Sequence, residues 1–136
     1  MKKIFILLSI NILLFAQGSY ELKLFEQIIP AIFKQKQVKV YADEDVKELL
    51  KSSNKFQLVN SCSEANVIII AYSLNNLHDN CVNRPIFATS YKTFKNNNNS
   101  FGAFYWRKGR PQIKFKSKTL DKYHLELPEN LQKYAQ

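Results

Sequence analysis

Apolar and polar positions along this chain change period several times, and each change predicts an element. Leu22, Phe25, Ile28, Ile29, Ile32 and Phe33 recur three and four residues apart. That spacing predicts an amphipathic helix over residues 20–36, with Pro30 kinking it. Val38 and Val40 alternate with Gln37 and Lys39, the two-residue period of a strand. Asp43-Glu44-Asp45 offers an N-cap and an acidic first turn to a helix running through Leu49 and Leu50. Asp45 and Glu48 stand three apart, as in a capping box, and Ser52-Ser53-Asn54 ends the helix. Phe56–Val59 reads as a second short strand. Val67-Ile68-Ile69-Ile70-Ala71 is an unbroken, largely β-branched run, the pattern of a strand buried on both faces. A short helix at Ser73–Leu77, a strand at Pro85–Thr89 and a helical turn at Tyr91–Lys95 follow, before the Asn96–Asn99 run. Phe101–Trp106 and Ile113–Phe115 read as antiparallel strands joined near Lys108-Gly109-Arg110-Pro111. Leu120–Tyr123 and Pro128–Tyr134 read as two short helices, the second with Pro at its first position. Strand–helix alternation closing on a hairpin predicts an α/β fold. It is a single domain with a mainly parallel sheet flanked by helices, an antiparallel C-terminal hairpin and two short terminal helices.

The first residues break this pattern and read as an address. Met1-Lys2-Lys3 is positive, Ile4–Phe15 is an apolar run of twelve interrupted only by Ser9 and Asn11, and Ala16-Gln17-Gly18 supplies small residues for cleavage. This is the anatomy of a secretory signal peptide over residues 1–18, cut after Gly18 or after Ala16. Twelve residues at a rise of about 1.5 Å span about 18 Å, well short of a roughly 30 Å hydrocarbon core. The mature domain is then 19–136, exported to the periplasm.

The whole chain has 136 residues, 46% of them apolar and 23% charged. That excludes a wholly disordered chain, and three Gly with four Pro exclude a collagen-like or low-complexity one. The formal charge is +9, and it is regional. Ser19–Asn80 holds seven Lys against eight acids, whereas Cys81–Gln136 holds eleven Lys and Arg against three acids. From Arg84 to Lys118 there are nine positive residues and no acid. An acidic partner belongs with that half.

Two cysteines are too few for a disulfide-scaffold miniprotein or a four-Cys zinc site. Cys62 stands four residues before Asn66 and the central strand, and Cys81 four before Pro85 and the next strand. Parallel neighbours begin at one sheet edge about 4.8 Å apart, so equal offsets bring both sulfurs there, within reach of a disulfide. A reactive Cys81 beside His78 and Asp79 is the competing reading. An oxidising compartment favours the bridge.

Catalytic and metal patterns are missing from the sequence. His78 and His124 are isolated, and there is no Gly-rich phosphate loop, Gly-x-Ser-x-Gly elbow or metal spacing. The expectation is a non-enzymatic protein without a cofactor. The most unusual segment is Phe101–Arg110, where aromatics interleave with Arg and Lys. Trp106, Arg107, Lys108 and Arg110 are the candidate contact residues, since turns leave their tips exposed and Trp and Arg anchor interfaces. The alternative places Phe104 and Trp106 in the core beside a solvated basic turn. An exported location argues against nucleic acid as the partner.

From Asn66 onward the order of features resembles the YfiR-like family of bacterial periplasmic proteins. The buried strand Asn66–Ile70 follows a cysteine-bearing segment. The Pro-led strand Pro85-Ile86-Phe87-Ala88-Thr89-Ser90 comes next, then a short helix with Phe94 and the Gly-containing apolar strand. After these come Gly109-Arg110-Pro111-Gln112-Ile113-Lys114-Phe115 and two terminal helices, resembling Leu120–Leu127 and Pro128–Ala135. The first half agrees in outline, so the resemblance covers nearly the whole of 19–136. It implies a regulator that binds the periplasmic domain of an inner-membrane signalling protein, typically a diguanylate cyclase in cyclic-di-GMP signalling, and restrains it. The alternatives are a periplasmic binding module for a small anionic ligand, feeding a sensor or transporter, and a secreted enzyme. Homodimer formation is open.

Overall fold

The computed structural model describes residues 2–71, 81 and 83–136, with side chains from residue 18 onward. The short helix expected at Ser73–Leu77 lies outside the described residues, as do His78 and Asp79.

The first helix, α1 (Lys2–Phe33), is longer than the sequence pattern predicts. It runs unbroken through Ala16-Gln17-Gly18 because nothing there breaks a helix outright; one Gly costs only about 1 kcal/mol. Nor does Pro30 end it. The helix stops when Lys34 takes a left-handed φ of 54° and Gln35 N–H donates to the Pro30 carbonyl, the Schellman arrangement. The chain then enters β1 (Val38–Ala42), α2 (Glu44–Leu50), β2 (Phe56–Leu58), a 3₁₀ turn at Cys62–Glu64, and β3 (Val67–Ile70). After the crossover come β4 (Ile86–Ala88), α3 (Tyr91–Asn96), β5 (Ser100–Arg107), β6 (Arg110–Phe115), α4 (Ser117–Lys122) and a 3₁₀ helix at Glu129–Tyr134.

The six strands form one sheet in the order β2-β1-β3-β4-β5-β6. All neighbours are parallel except the β5–β6 hairpin, so the mixed, mostly parallel α/β architecture is as the sequence predicts. One face packs against α1, whose Phe25, Ile28, Ile29 and Ile32 meet Val38, Val40, Val67, Ile69, Phe87, Phe104 and Phe115. The other face holds Ile68, Ile70 and Ile86 with the two cysteines, and Ala88, Ala103 and Tyr105 with Phe94 of α3. β3 is buried along its whole length, which is why its sequence shows no alternation.

The β4–β5 register slips by one residue, from Ile86↔Ser100 to Phe87↔Gly102. Phe101 is the extra residue of this bulge. It thereby shares the α1 face with Phe104 and packs edge-on against Phe33, ring centroids 5.8 Å apart. The hairpin turn is tighter than expected. Arg107 pairs with Arg110, leaving only Lys108 (φ 51°) and Gly109 (φ 74°) as the loop. Two positive φ values make this the primed two-residue turn that matches strand twist, so Arg110 and Pro111 belong to β6 rather than to the turn.

A disulfide joins Cys62 and Cys81, with Cα atoms 5.2 Å apart. No described cysteine is free, so the reactive-thiol reading of Cys81 falls. Among the described residues no helix is long and apolar enough to cross a membrane.

Candidate functional site

The chain leaves β1 towards β2 by way of α2, which packs on the α1 face. It returns to β3 past the Cys62 turn on the opposite face. The connections therefore part company between β1 and β3, a topological switch point. In open α/β sheets a crevice forms outside the carboxyl ends of the strands at such a point. Here it is a cleft of about 460 Å³ whose walls include Asp43, Ala71, Thr89, Tyr105 and Trp106.

Asp43 builds its floor. One carboxylate oxygen accepts from Val46 N–H at 3.3 Å, capping α2, and the other accepts from Ala71 N–H at 2.8 Å, tying the end of β3 to the end of β1. The N-cap is therefore Asp43, and the Asp45–Glu48 capping box suggested by spacing does not form. The Ala71 carbonyl accepts from the Ser90 hydroxyl at 2.9 Å and the Thr93 hydroxyl at 2.7 Å. Ser90 in turn accepts from Thr93 N–H and caps α3. Two helix caps and three strand ends are thus joined at one residue.

Trp106 stands where this cleft meets a second, lined by Thr89, Ser90, Tyr91, Tyr105 and Arg107. It is half-buried. Its indole N–H donates to Glu21 of α1 at 2.5 Å, and its ring packs against Phe104 and Tyr20 at centroid distances of 5.7 and 5.8 Å. Trp106 is therefore both an anchor for α1 and part of the cleft wall. Of the other sequence candidates, Arg107 lies in the second cleft, Lys108 on the turn, and Arg110 opposite Arg107 on the last rung of the hairpin. All three are exposed. None belongs to the three ion pairs among the described residues, which are Lys34–Glu126, Lys47–Glu44 and Lys51–Glu48. The acids of 43–45 do not neutralise the hairpin.

Sequence reasoning missed the acidic side of this edge. Asp43, Asp45 and Glu48 lie within six residues at the start of α2, and the packing of α1 beside α2 adds Glu21 to them around the first cleft. The opposite edge of the sheet carries a separate basic cavity of about 800 Å³, lined by Asn98, Lys116, Lys118, Thr119, Lys122 and Gln136. There the Lys116 ammonium donates to the carbonyls of Phe94 and Asn97 at the end of α3, and burial holds it below the usual lysine range.

No family model matches the chain, and no curated protein matches it. A crystal structure of a conserved domain protein from Vibrio cholerae is similar in fold, with a TM-score of 0.53 at 10% identity. The match covers 87% of this chain and 58% of that one, so this chain spans little more than half the neighbour's length. The likeness shows the fold alone.

Proposed function

We propose that this chain is an exported, non-enzymatic regulatory protein. In this reading its basic hairpin docks on an acidic surface of the periplasmic part of an inner-membrane signalling protein, such as a diguanylate cyclase, and restrains it. The observation that carries the proposal is the hairpin tip. Arg107 and Arg110 are directly opposed across the strands, with Lys108 beside them and, among the described residues, no carboxylate in ion-pair contact with any of the three. Like charges facing across a sheet are destabilising, so an acidic partner surface relieves a repulsion already present in the free protein. Trp106 supplies an aromatic anchor next to that charge, the combination that dominates interface energetics. The Cys62–Cys81 bridge supports a life in an oxidising compartment, and the resemblance to YfiR-like proteins supplies the class of partner.

The test is cellular and biochemical. Deleting the gene is expected to raise cyclic-di-GMP, and re-expressing the exported chain to lower it again. In-cell crosslinking from position 108 is expected to capture one inner-membrane protein with a periplasmic domain. Unchanged cyclic-di-GMP together with no membrane crosslink contradicts the proposal. A second reading, a binding module for a small anionic ligand, is supported by the cavity of Lys116, Lys118 and Lys122 on the opposite edge. Saturable binding of inorganic phosphate, abolished by Lys118→Ala with Lys122→Ala, distinguishes it.

A further inference from the structure

The hairpin has two faces, and we infer that the one shared with α3 meets the partner, taking an acidic segment that carries an apolar side chain between its carboxylates. This rests on the hairpin docking proposed above and adds the face and the chemistry it fits. Tyr105 and Ala103 lie with Phe94 of α3, so Arg107, two residues beyond Tyr105, falls on that face too. The cross-strand partners of these residues, Arg110, Gln112 and Lys114, share it. The Lys114 ammonium stands 5.3 Å from the centroid of the Tyr91 ring, which joins the hairpin to the first turn of α3. None of α3, β4, β5 and β6 contains an acid. At the same edge the other face has the opposite sign. There Glu21 of α1 and Asp45 and Glu48 of α2 surround the first cleft, on the side where α1 and α2 pack. An acidic surface is repelled from that side and drawn to the α3 face.

The second observation is apolar. Tyr91 is 47% exposed, the most exposed large hydrophobic among the described residues. Its ring is already held, packed on Tyr105 at a centroid distance of 5.7 Å with Lys114 over it. Little side-chain freedom is therefore lost when a partner packs there. Beside it opens the second cleft, of about 530 Å³, whose walls include Thr89, Ser90, Tyr91 and Arg107. A ring on one wall and a guanidinium on another suit a side chain flanked by carboxylates. The ring covers the apolar body, and Arg107, Arg110 and Lys114 meet the charges. Among the described residues none of these three cations has an ion pair. An exposed Tyr beside Arg in a cleft has the composition of an interface hot spot.

The test is photo-crosslinking in cells with the full chain, from positions 108, 112, 92 and 27 in turn, with a thermal melt of each variant. Position 108 reads the hairpin itself. Gln112 of β6 and Lys92 of α3 read the α3 side, and Gln27, exposed on α1, reads the other. The same inner-membrane protein is expected from 108, 112 and 92, and nothing from 27. Capture from 108 without 112 and 92 keeps the hairpin docking and overturns the choice of face. Capture from none of the four overturns both. Tyr91→Ala is expected to lower capture about 10-fold or more, as truncating an interface anchor does. Tyr91→Phe keeps the ring and is expected to leave capture unchanged. Lys114→Gln is expected to lower it several-fold at low salt, the loss fading as salt rises. A folded Tyr91→Ala variant that captures as well as wild type overturns the proposal. Vesicles of phosphatidylglycerol with the purified chain test a lipid surface instead. Vesicle binding lost in Tyr91→Ala, with no protein captured from 112 or 92, makes this face a membrane contact and also overturns it.

Discussion

Gly102 sits where a side chain has no room. A Cβ there would stand 2.6 and 2.8 Å from two ring carbons of Phe115 and 3.1 Å from the ring of Phe87, and both phenylalanines are fully buried. Neither ring can retreat through the packed α1 face. Gly102→Ala is therefore expected to lower stability by about 1–3 kcal/mol, the range for overpacking a core, measured by urea denaturation. A second residue-scale effect is electrostatic. Lys34 beside Glu126, 2.9 Å away, holds that carboxyl below its ordinary value of 4.5 through its hydrogen bond and its charge. A depressed folded-state pKa contributes stability above the unfolded value, and that stability is lost as pH falls through the folded value. Wild type is therefore expected to be slightly more stable than Glu126→Gln at pH 7 and equal to it at low pH. The difference is small because the pair is exposed, and high salt removes it. Gly102 stands out in the sequence as one of only three glycines, but the rings it faces were not legible, because the bulge at Phe101 sets that register.

At the scale of elements, the strands were the most readable feature. β-branched runs need no partner information to declare themselves, and β1, β3, β4 and the hairpin all fall where the pattern places them, within a residue or a few. The helices were less so. α1 has no stop signal near residue 18 and extends back to Lys2, and its left-handed cap at Lys34 sits on a residue that carries no C-cap signal. The Cys62–Cys81 bridge was legible because equal offsets from two adjacent parallel strands are a geometric statement. It closes a sequence separation of 19 residues, worth about 3 kcal/mol in the chain-entropy model. Cys62→Ser with Cys81→Ser is expected to lose roughly that much stability in a denaturant melt. The unfolded, unreduced wild type is expected to show no thiol to Ellman's reagent. Two reactive thiols in exported material contradict the bridge.

At the scale of the whole molecule, charge and topology meet on one edge. The carboxyl ends of β1, β3, β4 and β5 carry acids at the β1–β3 end and the basic hairpin tip at the β5 end. Composition alone located the basic half, because an acid-free run is visible in one dimension. The acidic cleft was only partly legible: Asp43, Asp45 and Glu48 stand together in the sequence, but Glu21 joins them through the packing of α1 beside α2, which no local pattern records. The central claim is that the hairpin is the contact surface. Its most direct measurement is capture of the membrane partner by wild type and by an Arg107→Ala, Lys108→Gly, Arg110→Ala variant, with thermal melts of both. Glycine suits position 108 because its φ of 51° strains any other side chain. The account predicts that the variant melts no lower than wild type, yet captures the partner several-fold less at low salt, mainly through a slower on-rate. Undiminished capture by a folded variant contradicts it.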